Sequence, residues 1–581
     1  MQNNWKILPE VSEDFAKRYK NYNRIILQLL VNRRLITDRQ IEKFLDPDWQ
    51  KDLLDPFLFK KMDAACDLII KHIKSGSNLT VYGDYDADGV TAAAVLAEIL
   101  KSLGAKVNVY LPARVTEGYG LNKKAIDELV KARVKLIITV DTGIRNKEEV
   151  DYAKNLGLDI IITDHHTAPQ EKDLPGCLII NPMVENIPEI NLAGVGVAFK
   201  LVKALITKSN LDEEKKGKLA ERVLDLVAVG TVADCVSLLG ENRILVIEGL
   251  KILNQQNRVG LKELMEVAQI YNLNKKINAL NIGWQIAPRL NSAGRLDHAN
   301  TAYELLITKD KKEAQALAVK LNEKNKERQK ITDEIVERFK IFIDKNLLED
   351  KILVIYSGDL PKIKKECNWC PEGVVGLVAG RLCDFYSRPA LVITKSNDEI
   401  KGSGRSIDEF DIIKAIERLK KYFSRFGGHA KACGFSFKNG ENEIAKFTKE
   451  IKALADQQLK NIELRPKIMI EKELTIEEID DNLVSTLEKF EPFGEDNPRP
   501  KFISRNLEIR DKIIMGIDGQ HVKFRLSNFW AVAFSQADKW QELRIGDRVD
   551  VVYYLERNEF NGRSEVQMKI VDIKLNNANT A

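Results

Sequence analysis

The sequence predicts an α/β protein: two α/β lobes joined by one long helix and followed by a small β-barrel. Three observations predict it. Between about residues 61 and 235, short β-branched runs alternate with amphipathic helical stretches, the pattern of a parallel sheet covered on both faces. From 310 to 345 a highly charged segment carries apolar residues at Ala314, Leu317, Leu321, Ile331, Ile335, Phe339 and Phe342, one stripe at helical spacing that suits a connector between lobes. After about residue 500 the periodicity shortens to two, with turn signals between short runs, as in a small barrel.

Taken in order, residues 1–60 read as a mostly helical segment without evident chemistry. The first lobe, 61–240, has expected strands at 79–82, 106–111, 136–140, 159–163 and 177–180, with helices at 91–100, 122–133 and 146–156 in the gaps. Residues 241–346 are helical and end in the connector. The second lobe, 347–460, opens on Ile352-Leu353-Val354-Ile355 and closes with a helix near 441–458. Residues 461–581 are a linker and the barrel. The barrel has expected strands at 522–526, 531–534 and 549–554, turns at Asp518-Gly519 and Asn561-Gly562, and a turn-rich junction from Glu491-Pro492-Phe493-Gly494 to Asn497-Pro498.

With 581 residues, 44% hydrophobic and 30% charged, the chain has the composition of a soluble multidomain protein. No apolar run reaches membrane-spanning length and the N-terminus lacks the apolar stretch of a secretory signal, so the expected location is cytoplasmic, with no membrane partner. A net charge of +4 neither demands nor excludes a polyanion, so any nucleic-acid reading must rest on local placement. Seven scattered cysteines suit reduced thiols. The single pair Cys367-Asn368-Trp369-Cys370 lacks the further ligands that a closed zinc site needs.

The chemistry concentrates at strand ends. Asp84-Tyr85-Asp86-Ala87-Asp88-Gly89 follows the first strand, Asp141 the third and Asp164-His165-His166 the fourth. In an open parallel sheet these positions share the ligand-binding edge. Alternation along an extended segment would bring Asp84, Asp86 and Asp88 to one point, where only a cation would hold three carboxylates together. A calcium loop is excluded because its twelfth position would be Val95. Asp234 is a further candidate. Oxygen and imidazole donors without thiolate favour Mn²⁺ or Mg²⁺, and so many carboxylates suit two ions bridged by Asp141. A single aspartate at a strand end is explained as a helix cap, but the whole set is not. Such an ion pair serves displacement at phosphorus, and no GxxxxGK[ST] loop points to ATP.

These motifs together resemble the signature of the DHH phosphoesterase superfamily. The likeness extends through Gly118-Tyr119-Gly120, 192–200, 230–234, Ala287-Pro288-Arg289-Leu290-Asn291-Ser292-Ala293-Gly294-Arg295, Gly402-Ser403-Gly404-Arg405-Ser406 and Gly427-Gly428-His429. That order is similar to the superfamily's bacterial 5′-to-3′ exonucleases specific for single-stranded DNA, from about residue 45 to the C-terminus. The resemblance implies one ion on Asp86 and Asp141 with Asp84, and another on Asp88, Asp141, His165 and Asp234. It implies a catalytic set of His166, Asp141 and His165, with His166 beside the scissile phosphate and Asp164 orienting a histidine from behind. It further implies a 5′-phosphate pocket of Gly402, Ser403 and Arg405, assisted by Arg114 and Arg295, with His429 facing the cleft. The glycines there are expected to let the backbone approach the phosphate. The second lobe would be a DHH-associated domain, and the barrel an OB-like module offering Lys523, Arg525, Phe529 and Trp530 to a strand. The implied activity is release of mononucleotides from single-stranded DNA in recombination and repair, by a monomer whose narrow cleft excludes duplex. A single-strand-binding protein and a RecQ-type helicase are the implied protein partners.

Two departures stand out. Cys370 occupies a place where a histidine usually follows the tryptophan, and Tyr82 stands where some relatives have a ligating histidine. The alternatives are a phosphodiesterase for short oligoribonucleotides or cyclic dinucleotides, which would not need the barrel, and a non-catalytic replication scaffold, which would not need the intact Asp/His set.

Overall fold

β-branched runs of five to seven residues, apolar on both sides, can only be satisfied in the middle of a covered sheet. The computed structural model, which describes residues 3–114, 116–187, 190–270, 276–360, 369–396, 399–560 and 563–576, builds them into one. Its strands lie all parallel in the order Lys106–Tyr110, Asn78–Tyr82, Val134–Val140, Asp159–Thr163, Leu178–Ile180. Successive residues feed opposite faces: Leu136, Ile138 and Val140 enter one core and Ile137 the other. The helix Ala87–Ser102 lies in the larger core and is apolar almost all round, its alanines letting helices Gly194–Lys208 and Leu224–Ala233 pack closely. The strand order reverses direction between Asn78–Tyr82 and Val134–Val140, so the crevice for a ligand opens beyond their carboxyl ends.

The connector is the helix Lys311–Asn346, capped by Asp310. Its 36 residues span about 54 Å. Ala314, Ala318 and Leu321 belong to the core of the first lobe, while Ile335, Val336, Phe339 and Ile343 lie in that of the second. The second lobe is a mixed sheet in the order Phe423–His429, Ala432–Phe437, Glu399–Arg405, Ala390–Ser396, Leu353–Tyr356, with only the last pair parallel. In the C-terminal module, Phe502–Met515, His521–Leu526, Phe529–Ala533, Arg563–Leu575 and Arg548–Phe560 form a ring that closes on the first strand, a five-stranded barrel. The expected turn at Asp518-Gly519 joins its first two strands; that at Asn561-Gly562 lies outside the described residues.

The N-terminal segment is not only helical. The strand Asn4–Ile7 pairs in parallel with Lys467–Ile470, and helices Arg24–Asn32 and Asp38–Leu45 give Ile25, Leu29, Leu30 and Phe44 to the barrel's own core. Arg243, from the helix Gly240–Gln255 that follows the first lobe, clasps this assembly. It is buried, stacks on Phe44 and donates to the carbonyls of Phe44, Phe490 and Lys489 at 3.0, 3.0 and 2.7 Å. Arg243→Ala removes all three donations, leaving the Phe490 carbonyl to Asn497 alone, and is expected to cost about 3 kcal/mol, read as a lower midpoint of thermal unfolding. An unchanged midpoint would show that the clasp does not hold. Among the described residues no helix is long and apolar enough to cross a membrane.

Candidate active site

The first acidic cluster does not act as an extended segment. Its strand ends at Tyr82, and Asp86 caps the helix that begins at Ala87, accepting the Asp88 and Gly89 amides at 3.0 Å each. Asp88 therefore sits in the first helical turn, rotated away from its neighbours. The three aspartates divide instead of converging: Asp84 and Asp86 gather with Asp141, while Asp88 gathers with His165 and Asp234. Within each group the donor atoms lie within 4.8 Å of one another, and Asp141 also groups with His165 and His166.

Asp141 follows the strand between the other two and holds a left-handed backbone, φ 60°. Its amide donates to the Thr163 carbonyl and its carbonyl accepts from the Tyr119 hydroxyl. The side chain is left facing the crevice, with Oδ1 3.1 Å from His165 Nε2. Gly194 makes room for it, since a Cβ there would stand 2.5 Å from that of Asp141. Asp88 is held from behind, its two oxygens accepting the Gly194 and Val195 amides at 2.6 and 2.8 Å. Asp234 caps the C-terminus of helix Leu224–Ala233, and its carboxylate comes within 3.7 Å of His165 Nε2.

Asp164 is fully buried and acts as a bracket. Its oxygens accept the amides of Ile144, His165 and His166 and the His166 ring at Nδ1, 2.8 Å away. Burial alone would raise its carboxyl, but the His166 ring and these amides bring it below the usual range. Burial would lower His166, but the hydrogen bond and charge of Asp164, with the charges of Asp84 and Asp86, together raise it. Burial and the neighbouring His166 bring His165 down to about 4, which leaves Nε2 a neutral donor of an electron pair.

This set fits divalent cations. Asp84 Oδ1, Asp141 Oδ1 and His165 Nε2 are buried without hydrogen-bond partners among the described residues, which is costly unless an ion meets them. Burial and mutual repulsion push the carboxyls of Asp84, Asp88 and Asp141 well up and that of Asp234 to about 8. A cation removes that penalty. Tyr82 offers no ligand: it is buried, stacks on Tyr110 and donates to the Gly120 carbonyl.

Opposite lies a group of arginines. On the strand Glu399–Arg405, Ser403 and Arg405 share one face, with Arg405 Nη1 3.2 Å from Ser403 Oγ. Gly402 and Gly404 belong to the other face, where a Cβ would strike the Phe435 ring at 2.3 Å or Leu391 and Ile412 at 2.6 Å. Packing thus demands these glycines, whatever backbone approach they allow. Arg295 donates to the Gly373 carbonyl at 3.0 Å and Arg114 lies over the Tyr85 ring. Burial and the charges of Arg114, Arg328 and Arg405 bring Arg295 down to about 9. Burial, with Arg114 near, also lowers Arg405. Among the described residues none of Arg114, Arg295 and Arg405 forms an ion pair with a carboxylate. His429 ends the strand Phe423–His429, near enough to His165 for its charge to act there. Cys370 is buried in the second lobe and its carbonyl accepts from Thr394, while Cys367 lies outside the described residues.

One contact had no signal in its own neighbourhood. Asn291 Oδ1 accepts the Ala87 amide at 2.7 Å, tying a helix 204 residues away to the segment that carries Asp84, Asp86 and Asp88. Only its place inside a longer motif could have pointed to it. On the barrel, Val522, Phe524 and Leu526 turn inward and Lys523 and Arg525 outward, over the Trp530 ring at 4.3 and 5.3 Å. Phe529 instead packs partly against the core.

An open parallel sheet with an all-carboxylate group and a carboxylate–imidazole group at its switch point, faced by a second lobe, defines a DHH phosphoesterase. Residues 78–231 match the family described as DHH family, N-terminal domain, residues 365–457 match the DHHA1 domain, and residues 470–572 match the RecJ OB domain. The chain belongs to the RecJ family. It is 34% identical over 565 residues to the single-stranded-DNA-specific exonuclease RecJ of Bacillus subtilis (strain 168), covering 94% of this chain and 67% of that one. Its identity to the RecJ of Salmonella typhimurium is 31% over 571 residues, covering 94% and 95%. The crystal structure of RecJ from Thermus thermophilus in complex with Mn²⁺ superposes with a TM-score of 0.80 at 27% identity, covering 98% of this chain and 79% of that one.

Proposed function

We propose that the protein is a metal-dependent exonuclease that hydrolyses single-stranded DNA from the 5′ end to mononucleotides. The observation that carries this is the meeting of two donor groups, linked where Asp141 stands 3.1 Å from His165, with an arginine group that forms no ion pair among the described residues. Membership of a family whose named relatives are single-stranded-DNA-specific exonucleases supports the substrate.

Asp84, Asp86 and Asp141 would hold one Mn²⁺ or Mg²⁺, and Asp88, Asp141, His165 and Asp234 the other. When bound, such a pair supplies an activated water and neutralises charge on the phosphoryl oxygens. His166 Nδ1–H donates to the Asp164 carboxylate, which leaves Nε2 as the ring atom available to a phosphoryl or leaving oxygen. Arg405, Ser403, Arg114 and Arg295 would grip the terminal 5′-phosphate, so that the first phosphodiester lies at the metals. Lys523, Arg525 and Trp530 offer the trailing strand cations and a ring face. The setting we propose is cytoplasmic DNA recombination and repair, by a monomer, with a single-strand-binding protein and a RecQ-type helicase presenting the strand.

A panel of 5′-labelled single-stranded DNA, blunt duplex, short RNA and pyrophosphate, with Mn²⁺, Mg²⁺ or chelator, tests the reading. Labelled mononucleotide is expected from single-stranded DNA alone, and none with chelator. Equal attack on duplex, or preference for di- and trinucleotides, would overturn it.

A further inference from the structure

We propose that Trp284 is a base-stacking platform that grips the strand on the 3′ side of the bond being cut. Trp284 is 78% exposed, far more than a tryptophan needs to be in a chain able to bury it. It stands on a π-helical turn, Ile282–Ile286, that runs directly into helix Ala287–Leu296. Ile282, Ile286 and Leu290 anchor this rod in the core, which aims Trp284 outward. π-turns interrupt helices mostly where function needs a side chain re-aimed.

The face on which it stands is informative. Asn291 and Arg295, four residues apart in the regular helix, share one side of the rod, and Trp284, two residues from both Ile282 and Ile286 on the π-turn, also lies on the side away from the core-facing Ile282, Ile286 and Leu290. Arg295 reaches the arginine group opposite the metals, and Asn291 holds the Ala87 amide at the metal loop. Trp284 lies beyond Asn291 by about 10 Å along the axis. The adjacent Gly283 sits against Val232, two residues before Asp234, so the turn also borders the second donor group. The order along the rod is terminal-phosphate group, metal loop, exposed indole. A strand held by its 5′-phosphate, with its first linkage at the metals, would next meet Trp284. This inference rests on the exonuclease reading and adds a specific grip on the trailing bases; any base can stack on an indole, so the grip would be indifferent to sequence.

The test uses the full chain as wild type, Trp284→Ala and Trp284→Phe. Because the side chain is exposed, neither substitution should alter the melting temperature. With Mn²⁺ and 5′-phosphorylated substrates, Trp284→Ala should raise KM roughly tenfold on a long homopolymer. It should leave kcat/KM on a dinucleotide unchanged, and Trp284→Phe should recover most of the loss. Binding of the long strand without Mn²⁺ should quench indole fluorescence in the wild type and markedly less in Trp284→Phe. Unchanged KM and quenching, or an equal loss on the dinucleotide, would overturn the proposal. The binding measurement needs no cleavage: a wild type that quenches through Trp284 yet hydrolyses nothing would sink the exonuclease reading and leave the platform standing.

Discussion

Asp141→Asn is expected to reduce hydrolysis of single-stranded DNA by at least about 10³-fold, the largest loss from any isosteric change in this protein. Asp141 belongs to both an all-carboxylate group and one with imidazole, and its buried Oδ1 has no other partner among the described residues. Asparagine removes the charge that two cations would share while keeping the shape. It also tolerates the left-handed φ of 60° that alanine would occupy at some cost. The backbone bonds to Thr163 and Tyr119 persist, so the fold should be retained. Single-turnover cleavage, circular dichroism and calorimetric Mn²⁺ titration together check this. A folded variant that binds two Mn²⁺ and cleaves at more than a tenth of the wild-type rate would refute a bridging role.

Arg405→Gln should abolish discrimination between 5′-phosphorylated and 5′-hydroxyl ends. Arg405 shares its strand face with Ser403, and in the described structure its Nη1 bonds only to Ser403 Oγ and the Gly404 carbonyl. No carboxylate among the described residues neutralises it, and the neighbouring arginines make an anion the group that would relieve the local repulsion. Losing one charged contact to a terminal phosphate removes about 2–5 kcal/mol, so KM for phosphorylated ends should rise on the order of a hundredfold. Turnover at saturation and cleavage of hydroxyl ends should change little. Competition between the two substrates, with each label followed separately, gives the answer. If both end types suffer equally, Arg405 supports the second lobe and does not read the terminus.

Several features were legible before any fold was known. The strands at 79–82, 136–140 and 159–163 announce themselves because an apolar β-branched run must be buried on both sides. Asp84, Asp141 and Asp164 then fall at one sheet edge by topology alone. The connector was equally plain, since a stripe over 36 helical residues has no other use than to serve two cores. The expected strand at 522–526 forms, and Lys523 and Arg525, the residues offered there to a nucleic-acid strand, lie on its outer side.

Other features were hidden because their causes are remote in the chain. The grouping of Asp84 and Asp86 apart from Asp88 depends on where the strand stops and the helix begins. Asp86 decides that by capping, and the helical turn then swings Asp88 toward His165 and Asp234. The pairing of Asn4–Ile7 with Lys467–Ile470 and the bond from Asn291 to Ala87 join residues hundreds of positions apart and leave no local pattern. Gly402 and Gly404 look like phosphate-loop glycines in the sequence, and only the packed rings and aliphatic chains beneath show that the core also demands them.

By itself, then, the sequence determined the kinds of element, the edge at which chemistry gathers and the oxygen-and-imidazole nature of its donors, because burial patterns and side-chain chemistry are properties of neighbouring residues. Only the tertiary structure decided which carboxylate joins which group, which arginines gather near those groups and how the N-terminal segment locks onto the barrel. Those are distances between segments, and distances are set by packing that no single segment encodes.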